Sequence, residues 1–420
     1  MTKRIIAITF IFILTTIAWA ILGGTILART YDSGEVSSSR VESTWGTEHN
    51  QGTPTASFKT LTQRATEVIE NNVKVTRYVT DEVITALPLD SSKIDVNLNL
   101  GHRQKGLLWY STYKVDFLGH YTFRNPSMLE QSVQFELKFP TTRAIFDNLT
   151  FTVDGNPVTL TNNNNAVSGI AKIGGGKVAQ VTVGYSSQGL NEWRYNFGGN
   201  DVSQVRDFNL RMKTNFKDID FPNNTLSPSE KTETSDGWDL TWSYKNLLSG
   251  YQIAMAMPEK LQPGPLAGRI SFFAPVSLFF FFFLMLIITT MRGIDLHPMN
   301  YFFLAAAFFS FHLLLAYLVD HVSIHASFAI AAAVSIFLVV SYLRLVVGIR
   351  FASREAALAQ FIYLVMFSYA FFLKGFTGLA ITIGSILTLF VVMQITGRVK
   401  WAEKFAIHDH EPAGELNLNT

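Results

Sequence analysis

The sequence predicts an α+β membrane protein with one N-terminal transmembrane helix, an extracytoplasmic antiparallel β-sandwich-like domain and a C-terminal bundle of five transmembrane helices. Three observations favour this fold class. Long apolar runs fill the last third of the chain, another such run lies near the start, and the polar region between them alternates apolar and polar residues. Long apolar runs are typical of helices in a bilayer, and alternation is typical of strands buried on one face.

The composition excludes several classes of function. Charged residues make up 16% of the 420 residues, against about 25% in soluble domains. A formal net charge of +2 argues against a nucleic-acid partner, because nucleic-acid-binding proteins normally carry a strong basic excess. The chain has no cysteine, which excludes disulfides, thiol catalysis and cysteine-ligated metal centres.

The first element is an apolar run of 24 residues, Ile5 to Ala28, which follows Lys3 and Arg4. A signal peptide has an apolar region of only about 7–15 residues. We therefore expect residues 1–28 to form an uncleaved membrane anchor, with cleavage after Ala28 as the alternative.

Residues 29–86 are interpreted as a juxtamembrane linker, because residues 29–56 are polar and lack periodicity. A short helix is predicted within it at Ser57–Val75, where Leu61 and Ala65 have helical spacing. A β-rich domain is predicted at residues 87–257, where apolar residues alternate along several short segments. These segments begin at Ile94, Val133, Ala179, Trp193 and Trp238. Asp154-Gly155 lies between two apolar stretches and predicts a tight hairpin.

A proline-containing linker at residues 258–269 precedes the predicted five-helix bundle at residues 270–397. The predicted helices are Ile270–Met291, Met299–Val319, Ala326–Val347, Ala356–Leu373 and Thr377–Ile395. The last two are separated only by Lys374-Gly375-Phe376, yet a single helix there would be about 60 Å long, twice the hydrocarbon thickness. We therefore expect a tight turn at that point, six crossings in total, and a cytoplasmic tail at residues 398–420.

Orientation follows from the basic residues, since short cytoplasmic loops are enriched in Lys and Arg. Lys3, Arg4, the segment Arg292–Pro298 and the turn that contains Arg350 all fall on one side of the predicted bundle. This pattern predicts that both termini are cytoplasmic and that the β domain is outside.

Three polar residues inside the predicted helices form a possible intramembrane polar site: His312, Gln360 and Gln394. An ionisable residue at membrane depth suggests a function such as a proton relay. The alternative, which we favour for His312, is a neutral imidazole that hydrogen-bonds a neighbouring helix, and interhelical hydrogen bonds also explain the two glutamines.

Asp320, His321 and His325 cluster near a predicted membrane boundary, and carboxylate and imidazole are ordinary metal ligands. Their spacing matches no metal motif, so solvation is the favoured interpretation there and also for His408–Glu411 in the tail. Trp109, Trp193, Trp238 and Trp242 could line a carbohydrate or lipid groove, but alternating aromatics more often form a core. We predict no catalytic, cofactor-binding or metal-binding residue and no cofactor.

Three segments in the C-terminal region resemble the membrane region of the CreD family: Met299–Leu304, Phe311–His321 and Leu389–Trp401. Members of that family are bacterial inner-membrane proteins linked with cell-envelope integrity. The resemblance implies one N-terminal helix, a large periplasmic domain and a C-terminal helical bundle, and it supplies no catalytic residue.

These observations lead to the hypothesis of a non-enzymatic, multi-pass inner-membrane protein that contributes to envelope integrity or stress response. Its expected partners are the lipid bilayer and an unknown envelope protein, lipid or glycan that binds the periplasmic domain. The alternatives are a transporter or permease-like module that uses His312 and the cluster of Asp320, His321 and His325, and an extracytoplasmic sensor.

Overall fold

The computed structural model describes residues 2–70, 73–163, 165–198 and 203–397, which form two compact units. A helical unit contains the residues before 36, residues 106–108 and the described residues from 261 onward. A β unit contains the described parts of residues 36–105 and 109–260. The predicted tail at residues 398–420, with His408–Glu411, lies outside the described residues.

The helices of the described chain are α1 (Thr2–Trp45), α2 (Pro263–Arg292), α3 (Pro298–Leu318), α4 (Ile324–Val346), α5 (Ile349–Phe372) and α6 (Thr377–Thr396). Each is long and apolar enough to cross a membrane, as predicted for all six segments. The helix α2 begins at Pro263, inside the predicted linker, because proline is well suited to the first turn of a helix. It ends at Gly293, whose φ of 68° lets its N–H reach a carbonyl of the last turn.

The helix α5 is irregular, since it contains π-helical segments at Ala352–Ala356 and Phe361–Met366. It ends in the predicted tight turn, where Gly375 has a φ of 77°. Glycine accepts this left-handed conformation without the clash that a β-carbon would cause.

The strands are β1 (His49–Gly52), β2 (Thr55–Glu70), β3 (Val73–Ala86), β4 (Leu89–Lys105), β5 (Leu108–Arg124), β6 (Gln131–Lys138), β7 (Phe146–Val153), β8 (Asn156–Pro157), β9 (Leu160–Asn163), β10 (Ala166–Ile173), β11 (Val178–Leu190), β12 (Glu192–Asn196), β13 (Ser203–Thr214), β14 (Glu230–Glu233), β15 (Trp238–Ser249) and β16 (Ile253–Ala256). They form three sheets, with the orders β1-β12-β16, β3-β2-β6-β10-β9 and β14-β15-β13-β4-β5-β11-β7-β8. Most neighbours are antiparallel, as predicted, but β1–β12 and β4–β13 are parallel pairs.

The three sheets share one core, to which alternate residues of the predicted strands contribute. Phe135 comes from the five-stranded sheet, Val96 and Trp242 from the eight-stranded sheet, and Trp193 from the three-stranded sheet, and each is at most 1% exposed. The predicted hairpin at Asp154-Gly155 is confirmed, since Val153 pairs with Asn156 and both turn residues have positive φ. This is the geometry that makes Asp-Gly a favourable two-residue turn.

The predicted short helix at Ser57–Val75 is wrong. The described residues of this segment belong to β2 and the start of β3, which pair as a long antiparallel hairpin. The helical spacing of Leu61 and Ala65 was outweighed by the many β-branched residues around them, such as Thr60, Thr62 and Thr66, which favour strands. The first residues of β2 also pair with β6, so strand structure begins well before the predicted domain start at residue 87.

The predicted linker after residue 28 is also wrong in its first part, because α1 continues without a break to Trp45. Polar side chains stabilise this extension locally, as where Ser38 donates to Glu42 at 3.1 Å. The guanidinium of Arg103 lies 3.7 Å from the ring centroid of Trp45 and anchors the end of the helix. Gly46, with a φ of 104°, ends the helix and donates its N–H to the carbonyl of Glu42.

Candidate functional site

A chain of hydrogen bonds inside the helical unit connects α3, α4 and α5. Gln360 of α5 is fully buried and donates from Nε2 to Ser335 Oγ of α4 at 2.8 Å. Ser335 in turn donates to the carbonyl of Ala307 of α3 at 2.6 Å. Gln360 Oε1 has no hydrogen-bond partner among the described residues, so one strong acceptor is buried and available.

His312 lies on α3, about one turn beyond Ala307, and is fully buried. Its Nδ1 is 3.0 Å from the carbonyl of Phe308, and since a carbonyl only accepts, Nδ1 carries the proton. The neutral ring then presents Nε2 as an acceptor, and no described residue donates to it. The ring of Trp19 of α1 packs edge-on against His312 at 5.5 Å, and its Nε1 donor is likewise buried without a described partner.

A second set of polar contacts connects α2, α5 and α6. Ser277 of α2 donates to the carbonyl of Tyr363, which lies in the second π-helical segment of α5. Such a segment shifts the register of backbone hydrogen bonds, and π-helical segments are frequent at functional sites. The hydroxyl of Tyr363 donates to Thr388 Oγ1 of α6 at 2.9 Å. Beside these residues lies an apolar cavity of about 520 Å³ between α5 and α6, lined also by Phe280 and Gly384.

The structure thus separates the three residues of the predicted intramembrane site. Gln360 and His312 are both buried, and Gln360 reaches α3 through Ser335, whereas Gln394 is exposed on α6. The sequence did not single out Ser277, Ser335, Tyr363 or Thr388. Residues with a hydroxyl group are common in apolar helices, and only their partners distinguish these four.

Asp320 and His325 make separate contacts in the structure. No group of three or more His, Asp or Glu residues in the described chain is arranged to hold a metal ion. Asp320 pairs with Arg29 at 3.3 Å, and the ring of His325 packs against Phe372 at 5.2 Å. The first contact pairs charges between the interior of α1 and the end of α3, and the second packs the start of α4 against the end of α5.

Ion pairs mark the two ends of the helical unit. Arg4, near the start of α1, pairs at 2.8 Å with Asp295, which lies between α2 and α3. Arg292 at the end of α2 pairs at 2.5 Å with Glu355 near the start of α5. The pair Arg29–Asp320 lies at the opposite end, because Arg29 follows the apolar run of α1 and Asp320 follows α3.

The β unit contains a buried polar cluster around His49 of β1. The His49 ring packs edge-on against Tyr113 at 5.6 Å and stacks on Phe146 at 6.2 Å, and its Nε2 is 3.5 Å from Ser187 Oγ. Burial disfavours the charged imidazolium and lowers the pKa of His49 to about 4, against 6.5 in water. His49 is therefore neutral at physiological pH.

Buried tyrosines extend this cluster along the core. Tyr185 donates to Gln51 Oε1 at 2.6 Å, and Thr53 Oγ1 lies 3.0 Å from the hydroxyl of Tyr195. Burial raises the pKa of Tyr185 well above 10, and that of Tyr195 to about 12. These hydroxyls remain protonated, and that of Tyr185 acts as a structural donor.

The favoured interpretation of the four tryptophans as core residues is confirmed for Trp193 and Trp242, which are fully buried in the core. Trp242 Nε1 donates to the carbonyl of Leu226 at 2.8 Å. Trp109 and Trp238 are partly exposed, and Lys260 Nζ lies 4.3 Å from the ring centroid of Trp109.

The loop between β5 and β6 presents two apolar side chains to solvent, Met128 at 94% exposed and Leu129 at 71%. Its backbone is held in place by Asn125, whose Nδ2 donates to the carbonyls of Leu129 and Ile173 at 3.0 Å. Gly175 packs so closely that a β-carbon there would clash with the carbonyl of Met128. A restrained loop with exposed apolar side chains is a common form of binding surface.

The six apolar helices and the separate β unit define a multi-spanning membrane protein with a large β domain. The sequence pattern of the family described as inner membrane protein CreD matches residues 1–402. The chain therefore belongs to the CreD family and is an inner membrane protein. The predicted resemblance is confirmed over nearly the whole chain.

Comparison with curated protein sequences finds no match. Among solved structures, the chain is similar to a putative nutrient binding protein from Legionella pneumophila, with 10% identity and a TM-score of 0.31 over 46% of this chain and 72% of the other. It is also similar to an M1 zinc metallopeptidase from Deinococcus radiodurans, with 11% identity and a TM-score of 0.25 over 40% of this chain and 42% of the enzyme. Similarities this low carry no functional argument.

Proposed function

We propose that this inner membrane protein contributes to cell-envelope integrity or stress response without catalysing a reaction. In this proposal the β unit lies in the periplasm and binds an envelope protein, lipid or glycan. The observation that carries the proposal is that a member of this family combines a β unit of more than half the chain with a six-helix unit. The restrained loop with exposed Met128 and Leu129 is the contact point that we favour.

The proposed orientation has both termini in the cytoplasm. The ion pairs support it, since Arg4 and Arg292 lie at one end of the helical unit, with Arg344, Arg350 and Arg354 also at helix ends on that side. Clustered basic residues are typical of the cytoplasmic side. Because the chain has no cysteine, single cysteines can be introduced at Thr241 and at His297, which is exposed between α2 and α3, and labelled with a membrane-impermeant maleimide in intact spheroplasts. Labelling at Thr241 alone is expected, and labelling at His297 alone would refute this orientation.

The functional test uses a bacterium that lacks its own member of the family. We expect the full chain to restore survival under detergent and hypo-osmotic challenge. The double variant Met128→Ser/Leu129→Ser should lose at least half of that protection, because serine removes the apolar contact surface without altering the loop backbone. The matched control is Leu248→Ser, since Leu248 is similarly exposed, at 72%, on β15.

Each result of this test decides a separate question. No protection by the well-expressed full chain would refute the integrity proposal. Equal protection by the loop variant and the control would refute only the contact point. A photo-crosslinking residue at position 128 would then identify whether a protein, lipid or glycan is bound, with the same residue at position 248 as background.

The second candidate function is a transporter or permease-like module. The buried acceptors Gln360 Oε1 and His312 Nε2 and the π-helical segment beside the α5–α6 cavity favour it. Solute uptake by proteoliposomes that is abolished by His312→Ala would support this function. If His312→Ala leaves envelope tolerance unchanged, His312 has a packing role instead.

A third candidate function is an extracytoplasmic sensor. It would require a cytoplasmic partner whose binding responds to the state of the β unit.

A further inference from the structure

The β2–β3 hairpin extends well beyond the sheet that holds it. β2 pairs with β6 only over Thr55–Phe58, and residues 59–70 pair with β3 alone among the described strands. At about 3.4 Å per residue these 12 residues project roughly 40 Å. A two-stranded hairpin is only marginally stable by itself in water, so a projection of this length favours a further partner.

The outer edge of β3 offers backbone hydrogen bonds in a defined pattern. β3 lies at the end of the five-stranded sheet. Leu87 donates its N–H to the carbonyl of Ala56 in the neighbouring β2 at 2.8 Å. N–H and C=O groups alternate sides along a strand, so the even-numbered positions of β3, such as Tyr78 and Thr80, direct theirs outwards. A second antiparallel strand can therefore join β3 only in registers that pair even positions with even positions.

The odd-numbered positions of β3 form a palindrome about Val79. Valine occupies matching positions on both sides of the centre, and the two charged positions that flank the centre carry opposite charges. The residues are Val75, Arg77, Val79, Asp81 and Val83. A second β3 that runs antiparallel and is centred on Val79 places valine opposite valine at three positions. It also places arginine opposite aspartate twice. Opposite charges and β-branched pairs directly across two strands are both stabilising.

The other registers that the backbone allows are worse. Centring the pair on Tyr78 places Asp81 opposite Val75, and centring it on Thr80 places Asp81 opposite Val79. Shifting the chains further, so that the odd row is centred on Arg77 or on Asp81, places like charges opposite each other, which is destabilising. One register therefore satisfies the backbone, the apolar residues and the charges together.

The side chains near this edge are available for such pairing. Val79 and Val83 are 45% and 46% exposed, and on the other face Tyr78 and Ile84 are 70% and 66% exposed. Within one chain Asp81 pairs with Arg64 at 3.2 Å, with the Arg64 side chain 72% and the Asp81 side chain 42% exposed. Asp81 can thus be flanked by arginines from both sides.

We propose that two copies of this chain associate by antiparallel pairing of their β3 edges about a two-fold axis at Val79. The two five-stranded sheets then become one continuous sheet. The partner is a second copy of the same chain, because the palindrome makes the edge complementary to itself. The proposal is independent of the envelope function.

The decisive experiment introduces one cysteine into the cysteine-free chain. Val79 would form a non-hydrogen-bonded pair with its symmetry mate, with Cα atoms about 4.5 Å apart, within the range that a disulfide spans. Val79→Cys in native membranes treated with a mild oxidant should give a covalent dimer in most molecules. Val83→Cys is the matched control, since its mate would lie roughly 27 Å away and should crosslink at least tenfold less.

Charge exchange tests the register independently of the disulfide. Asp81→Arg alone, on the Val79→Cys background, should lower the crosslinking yield about tenfold by placing like charges opposite each other. The double variant Arg77→Asp/Asp81→Arg preserves the palindrome with its signs inverted and should restore the yield. Arg64→Ala removes only the ion pair within the chain and should change the yield less than twofold.

Three outcomes would overturn the proposal. They are a monomeric Val79→Cys chain after oxidation, equal crosslinking of Val83→Cys, and a single-chain mass for the unmodified protein by native mass spectrometry in nanodiscs across the tested concentrations. Crosslinking of Val79→Cys to a different protein would also contradict it and would assign the edge to a heterologous partner.

Discussion

Replacing His49 by phenylalanine should remove an acid sensitivity of the β unit. The substitution keeps a planar ring against Tyr113 and Phe146 but cannot take up a proton. His49 has a pKa of about 4 in the folded chain and 6.5 when unfolded. Between these values the unfolded chain binds a proton that the folded chain does not, so stability falls as pH falls from 6.5 towards 4 and is fully present above 6.5.

The size of this effect follows from the two pKa values. Each unit of pKa difference corresponds to about 1.4 kcal/mol, which gives a limiting loss of about 3.4 kcal/mol. Between pH 7 and pH 5 the same two values give a loss of about 2 kcal/mol. The phenylalanine variant should lack this part of the pH dependence while remaining within about 3 kcal/mol of the native chain at pH 7, because it keeps a planar ring at this site although the phenyl ring is larger than imidazole.

The assay is hydrogen exchange of β1 and β12 amides in the full chain in nanodiscs, with opening free energies corrected for the intrinsic rate at each pH. These strands are suitable because His49 pairs with Trp193 across them. The control is His120→Phe, since His120 lies exposed on β5. An unchanged pH dependence in His49→Phe, or its loss in His120→Phe, would refute the reasoning.

Two further predictions concern packing. Gly237→Ala should destabilise the β unit by more than about 2 kcal/mol in denaturant unfolding followed by tryptophan fluorescence, because the new β-carbon would lie 2.1 Å from the carbonyl of Thr214. Gly52→Ala, which meets only an ordinary 3.5 Å contact, should cost less than half as much, and equal effects would contradict the prediction. Gln360→Leu removes the bond to Ser335 but also a buried unpartnered oxygen, so steric-trapping measurements of the helical unit should show a change within about 1 kcal/mol. A loss of several kcal/mol in the free energy of unfolding would show that the hydrogen-bonded series from Gln360 to Ala307 stabilises the helical unit far more than the Gln360–Ser335 bond alone.

The fold was predictable wherever one physical signal dominated. Long apolar runs fix the six spanning helices, and the alternation around Val133 and Ala179 fixes central strands, because burial overrides weaker preferences. The β2–β3 hairpin was misassigned because most of its residues are exposed. Without a buried face no period is enforced, and Leu61 and Ala65 fell at helical spacing by coincidence. The extension of α1 to Trp45 depends on the distant Arg103, which a local pattern does not contain.

The intramembrane site was predictable only in part for a related reason. Each spanning helix is apolar on all sides, so the sequence does not reveal which face points inwards. Gln360 and Gln394 look alike in the sequence, yet the first is fully buried and the second is exposed. The role of Ser335 depends on its bond to Ala307, a residue 28 positions away.

The strand order of the three-stranded sheet has a consequence for biogenesis. β12 lies between β1, near the start of the β unit, and β16, at its end. The central strand therefore exposes an unpaired edge until Ile253–Ala256 has left the ribosome. Most of the polypeptide must be synthesised before the three-stranded sheet is complete. Premature termination anywhere between β12 and β16 should therefore yield an aggregation-prone, protease-sensitive product.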